Sequence, residues 1–256
     1  MKIDEKSRRL FLRNLCTAVG GVLLGGCDAA SRSSSFARVL GAGEHLSRTI
    51  HHALAPRKSM AQEFSEADLS PYFRSNGTDN PDDQHYQALA RNGFADWRLD
   101  VGGMVEKPIR LTLAQLRAMR SRTQITRHDC VEGWSAIGKW KGVLLSDVLA
   151  IARPAPAARY IVFYCADPMD ASGTRYYESI DLEDANHPQT ILAYELNDAT
   201  LPVANGAPIR VRIERQLGYK MAKYIMRIEA VESFAHIGAG KGGYWEDEGY
   251  EWYAGI

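Results

Sequence analysis

The stretch Arg159-Tyr160-Ile161-Val162-Phe163-Tyr164-Cys165 constrains the fold most. Its apolar run lacks the polar alternation of a half-exposed strand, so it reads as a strand buried on both faces. Such a strand needs partners beside it and layers against it. Asp96-Trp97-Arg98-Leu99-Asp100-Val101 alternates as a strand and stops at Gly102-Gly103. Thr123-Gln124-Ile125-Thr126 is β-prone, and Ile191 to Glu195, Ile209 to Ile213 and Tyr224 to Glu229 are further strands. Helical signals are short. Thr112-Leu113-Ala114-Gln115 fits a capping box that opens a helix to Met119. Val143 to Ile151 reads as a helix ended by Pro154 and Pro156, and Ile180 to Ala185 as a short helix before Pro188. Short helices scattered among strands, without regular βα alternation, predict an α+β domain with mixed β-sheets.

At 256 residues the chain can bury a sizeable core, in one large domain or two small ones. Lys+Arg and Asp+Glu number 31 each, so no nucleic-acid partner is expected. The sequence has no glycine-rich phosphate loop, no HExxH and no fixed-period repeat. A zinc hydrolase is disfavoured because the usual ligand clusters are missing.

The N-terminal segment reads as targeting rather than fold. Ser7-Arg8-Arg9-Leu10-Phe11-Leu12 is a twin-arginine pattern, followed by an apolar run from Leu15 to Leu24 that is short for a membrane span. Leu24-Gly25-Gly26-Cys27 looks like a lipobox, with an uncleaved apolar anchor as the alternative. The expected division is a twin-arginine lipoprotein signal peptide at 1–26, a lipidated tether at 27–58 and a domain at 59–256. The protein is then extracytoplasmic, in the periplasm, with lipid on Cys27 and Asp28 resembling an inner-membrane retention signal. Some helix is expected around His45 to Leu54. His51 and His52 are neighbours that point apart on a helix, so solvated histidines are expected there. With Cys16 removed and Cys27 lipidated, Cys130 and Cys165 remain, either as one disulfide or with Cys130 free.

Cys130 sits in Arg127-His128-Asp129-Cys130-Val131-Glu132-Gly133-Trp134-Ser135, at the end of the predicted strand. A thiolate there is a nucleophile or a soft metal ligand, and a buried free cysteine is the plain alternative. Downstream, Asn205-Gly206-Ala207-Pro208-Ile209-Arg210 is a turn entering a strand, and Leu217-Gly218-Tyr219-Lys220-Met221-Ala222-Lys223 follows. An amide offers both donors and an acceptor, and a guanidinium forks onto an anion.

These three motifs, in this order, resemble those of the sulfite oxidase-like molybdopterin oxidoreductases. In particular they look like the bacterial branch containing the catalytic subunit of periplasmic methionine sulfoxide reductase, from about Ser59 to about Ser233. The resemblance implies a sulfite oxidase-like molybdopterin-binding domain with molybdenum–molybdopterin as cofactor. It makes Cys130 the protein's metal ligand and places Asn76, Cys165, Asn205, Arg210, Met221, Ala222 and Lys223 on the cofactor. His128, Asp129, Glu132 and Arg215 become candidate proton or charge partners. Glu214-Arg215-Gln216 departs from the Pro-Trp type common in relatives, which leaves the substrate mouth open. The implied chemistry is a two-electron oxygen-atom transfer that reduces S-oxides or N-oxides such as methionine sulfoxide, free or in a protein. Sulfite oxidation and a cofactor-free binding lipoprotein of the same fold are the alternatives. The sequence has no CxxCH haem site, iron–sulfur cysteine set or flavin signature, so a separate membrane redox partner is expected, haem-containing by the same resemblance. The tail from Lys241, rich in Tyr and Trp, is expected to cover the domain surface or to dock a partner.

Overall fold

The computed structural model describes residues 59–256 and, before them, Gly43, Leu46, Thr49 and Ile50, each in a helical position. The latter three fall within the helix expected around His45 to Leu54. The signal peptide, Cys16, Cys27, the tether's other residues and His51-His52 lie outside the described residues.

Asp83 opens the first long helix, Gln84–Arg91, by accepting from the Tyr86 amide at 2.7 Å. Strands β1 (Arg98–Gly103) and β2 (Ile109–Thr112) then form an antiparallel pair. Thr112 caps the helix Leu113–Ala118, its side chain accepting from the Gln115 amide while Gln115 answers the Thr112 amide. This is the capping box read from the sequence. Next come β3 (Ser121–Asp129) and β4 (Ser135–Leu144), paired from Ser121 with Val143 to Asp129 with Ser135. The helix Leu145–Ala152 leads to β5 (Tyr160–Pro168) and β6 (Arg175–Asp181), after which Asp181 caps the short helix Leu182–Ala185. The last strands are β7 (Ile191–Leu196), β8 (Ala199–Thr200), β9 (Arg210–Arg212) and β10 (Ile225–Val231), and a helical turn, Tyr244–Asp247, follows.

Two sheets result. One runs β2-β1-β10-β5-β6, with β1 parallel to β10 and the other pairs antiparallel. The other runs β3-β4-β7-β8, with β9 added to β7. The domain is thus α+β with one mixed sheet and one antiparallel sheet. Four strands, β2, β4, β6 and β8, were not legible beforehand. Ser135–Leu144 contains Gly138, Lys139, Lys141 and Gly142, residues poor in β-propensity, yet it is the central partner of β3 and β7. Val143, expected to start a helix, lies in that strand instead and pairs with Ser121 and Leu192. The start of the expected Ile180 helix likewise belongs to β6.

The main core gathers Leu99 and Val101 of β1, Ile161 and Phe163 of β5, Leu192 and Tyr194 of β7, Ile225 and Ile228 of β10, and Val148 and Leu149 of the Leu145–Ala152 helix. Full burial of such side chains contributes about 1.5–3 kcal/mol each. A second cluster, with Phe73, Trp140, Ile191 and Leu196, packs apart from it. Two β-hairpins thereby hold the β3–β4 tip and the β5 end in fixed positions.

Candidate cofactor and metal site

Cys130 lies at the tip of the β3–β4 hairpin, at the strand end where the sequence placed it. Its amide donates to the Trp134 carbonyl at 2.9 Å, and the Gly133 amide donates back to the Cys130 carbonyl at 3.0 Å. The thiol is half-buried and opens onto a pocket with about 720 Å³ of empty space including its mouth. Asn76, Gly77 and Thr78 form one part of the wall, Met221, Ala222 and Lys223 another, and Asp167 stands at the end of β5. Burial pushes the Cys130 thiol above its usual range, while the Arg74 charge pulls it down. Neither Cys130 nor Cys165 is in a disulfide, so the alternative pairing of these two is not formed.

Beside Met221–Lys223 stands a pair of cations. Arg210, fully buried on β9, donates to the Asn205 and Met221 carbonyls, at 3.1 Å each. Lys223 Nζ donates to the Ala204 carbonyl at 2.9 Å and also to the Thr78 carbonyl. Neither cation forms an ion pair with a carboxylate among the described residues. Burial, and then the charge of Arg212, brings Arg210 down to about 9. Burial, and then the charge of Arg210, brings Lys223 down to about 7. Two cations that depress themselves in this way make a site prepared for an anion.

The unsatisfied atoms suit a pterin with its phosphate. Arg210 Nε and Asn205 Nδ2 are buried donors, and Asn76 Oδ1 and Asp167 Oδ1 buried acceptors, with no hydrogen-bond partner among the described residues. Leaving such groups unmet costs about 1–3 kcal/mol each, so a ligand that presents both edges and an anion fits. No group of three or more His, Cys, Asp or Glu among the described residues could hold a metal ion. A metal at Cys130 would therefore draw further donors from outside the chain, as a dithiolene supplies.

The other expected site residues fall into two sets. Asn76, Met221, Ala222, Lys223 and Glu132 line the pocket with Cys130. Asn205 and Arg210 stand behind the wall instead, Arg210 donating to the Met221 carbonyl of the wall and to the Asn205 carbonyl. The structure does not bring His128, Asp129, Cys165 or Arg215 into the wall.

His128 is fully buried, and burial with the Arg212 charge holds it neutral, well below its usual pKa. Its Nδ1 lies 3.0 Å from Arg212 Nη1 and 3.3 Å from the Met221 sulfur. The arginine has only donors, so Nδ1 accepts and the proton sits on Nε2. His128 stands against Met221 rather than in the pocket wall. A Cβ on Gly218 would stand 2.4 Å from His128 Nε2, which is why this turn requires glycine.

Asp129 is engaged by Arg127 and Ser135. Cys165 is buried behind the wall, and burial followed by the Asp167 charge keeps its thiol neutral. Arg215 is half-buried near Asp184 and His187, on whose titrations its charge acts. The sequence reading missed Asp167, though the two-residue strand period from Cys165 would have pointed to it. It also missed Tyr176, and left Trp245 and Tyr250 as surface cover; all three line the pocket.

This architecture and site define a molybdopterin oxidoreductase of the sulfite oxidase-like kind. The profile of the oxidoreductase molybdopterin binding domain matches residues 86–236, and the chain belongs to that family. The YedZ1 subunit of Azospira oryzae is 36% identical over 253 residues, which cover 99% of this chain and 89% of that one. The protein-methionine-sulfoxide reductase catalytic subunit MsrP of Xanthomonas axonopodis pv. citri is 37% identical over 176 residues, or 64% of this chain and 54% of the relative. The chain spans about half the length of the MsrP relatives it matches. Among solved structures, the sulfane dehydrogenase SoxCD of Paracoccus pantotrophus aligns with a TM-score of 0.48 at 23% identity, over 54% of this chain and 39% of that one. The protein is an oxidoreductase.

Proposed function

We propose that the protein carries molybdenum–molybdopterin and reduces sulfoxides, methionine sulfoxide among them, on the extracytoplasmic side of the membrane. The observation that carries this reading is the convergence on one pocket of the Cys130 thiol, the Lys223 ammonium and the unmet Asn76 and Asp167 oxygens, with Arg210 bonded behind the wall to Met221. Cys130 would be the protein's ligand to the metal. Arg210 and Lys223 would hold the phosphate, and Asn76, Asn205 and Asp167 would meet the polar edges of the pterin. When bound, the group supplies a two-electron couple and a position that accepts an oxygen atom.

In the balanced change, a sulfoxide takes up two electrons and two protons and gives the corresponding thioether and one water. Asp167 suits the proton demand, since burial pushes its carboxyl up to about 6. It can hold a proton close to neutral pH inside the pocket. Electrons would come from a separate membrane partner, haem-containing by family likeness. The twin-arginine pattern and Cys27 support export and a lipid anchor.

The test is metal and pterin analysis of protein exported in a cofactor-competent host, with dye-linked assays of methionine sulfoxide reduction and sulfite oxidation. Near-stoichiometric molybdenum with sulfoxide reduction is expected. Robust sulfite oxidation without sulfoxide reduction would reverse the direction, and molybdenum near zero would leave a binding lipoprotein.

A further inference from the structure

The family domain ends at residue 236, yet the chain after it supplies part of the pocket. Trp245 and Tyr250 stand in the wall with Tyr219, Met169 and Val131. Trp245 and Tyr250 stack at 5.4 Å between centroids, and Tyr219 meets Tyr250 edge-on at 5.3 Å. Val131, next to Cys130, and Tyr250 are both exposed large apolar residues, at 43% and 41%. Apolar side chains left open to water in the wall that holds a thiol are a surface that a ligand can cover.

This segment is built in rather than draped over the domain. Glu246 reaches back to Lys220 Nζ at 2.5 Å, and Glu178 of β6 takes the same ammonium at 2.5 Å, all three side chains being buried. A Cβ on Gly243 would stand 2.0 Å from Glu246 Oε2, so the backbone closes directly over the ion cluster. Tyr219 Oη donates to the Glu251 carbonyl at 2.5 Å, and the Leu217 amide to the Ala254 carbonyl at 2.9 Å. The aromatic pair is therefore held at a fixed position relative to the Gly218–Lys220 turn. Pre-set side chains of this kind select a ligand at little ordering cost.

We propose that Trp245 and Tyr250 are specificity-determining residues that receive the apolar side chain of an uncharged S-oxide, methionine sulfoxide within a peptide. The inference rests on the sulfoxide-reductase reading. Its chemistry follows from the rim. Aromatic faces and Met169 match a thioether chain.

The experiment compares wild-type, Trp245→Ala, Trp245→Phe and Tyr250→Ala holoenzymes on a methionine sulfoxide peptide and on dimethyl sulfoxide, which is too small to span the rim. Molybdenum and pterin content establish loading. The ratio of kcat/KM for peptide over dimethyl sulfoxide is expected to fall about tenfold in Trp245→Ala, chiefly through a higher peptide KM. Trp245→Phe should recover part of it, and Tyr250→Ala, at a more exposed position, gives the same reading if Trp245→Ala fails to load. A wild-type enzyme that reduces both substrates, with a ratio unchanged in the loaded alanine variants, overturns this inference alone. A wild-type enzyme that reduces neither overturns the sulfoxide reading and this inference with it.

Discussion

Lys223→Met should stabilise the cofactor-free protein and weaken the loaded one. A lysine that titrates at about 7 in the fold instead of 10.5 costs roughly 5 kcal/mol when it is charged there. Below about pH 7 that cost is present in full, because the ammonium is charged both folded and unfolded. Between about pH 7 and 10.5 the unfolded chain holds the proton and the folded one does not, so wild-type stability rises with pH and the cost fades. Methionine carries no charge and nearly the same apolar stem. It gives up the donations to Thr78 and Ala204, but neither carbonyl is orphaned. The Thr78 carbonyl still accepts from Tyr224 Oη at 2.6 Å, and that of Ala204 from Ser75 Oγ at 2.7 Å. A net gain of about 3 kcal/mol near pH 6 is therefore expected, on the order of 6–12 °C in Tm for a domain of this size. Thermal melts of both cofactor-free proteins near pH 6, 8 and 9.5 would read it as a difference that shrinks as pH rises. In holoprotein the ordering should invert, since the phosphate pairs the charge and its loss costs about 1.5–3 kcal/mol. A variant less stable at about pH 6, or a difference independent of pH, would refute the unpaired-cation account.

Three further outcomes follow from the same geometry. Cys130→Ser should abolish turnover while the domain still folds, a hydroxyl being a far poorer soft-metal ligand; wild-type activity in a molybdenum-loaded serine variant would remove the ligand assignment. Lys220→Met leaves Glu178 and Glu246 buried without their cation, and should cost about 3–5 kcal/mol, seen as a lower urea midpoint. Cys27→Ala should release the exported protein from membranes, because acyl chains hold by about 0.8 kcal/mol per buried CH₂; sedimentation through an alkaline wash would contradict lipid anchoring.

What was legible in the chain follows a physical division. The Cys130 tip, the Thr112 cap and the β5 run are set by neighbours in sequence, and each stands where the residues placed it. The central strand β4 was hidden because Gly138 and Gly142 are chosen by what lies across from them. A Cβ on Gly142 would come within 2.2 Å of the Leu192 carbonyl, and one on Gly138 within 2.8 Å of the Phe73 ring. His128 and Arg215 stand outside the wall for a related reason. Proximity to Cys130 or to the Lys223 segment along the chain says nothing about which side of a strand or turn faces the cavity. His128 sits two residues before Cys130 but turns toward Arg212 of β9, where Arg212 also pairs with buried Glu214 at 2.6 Å. That pair spends the Arg212 charge inside the protein and leaves Arg210, two residues earlier on the same strand and over the same Trp140 ring, without a carboxylate. Strand alternation alone would treat the two arginines as equivalent. Glu214 distinguishes them, neutralising one as part of the core and leaving the other available to an anion, which is how a structural strand comes to carry a binding charge.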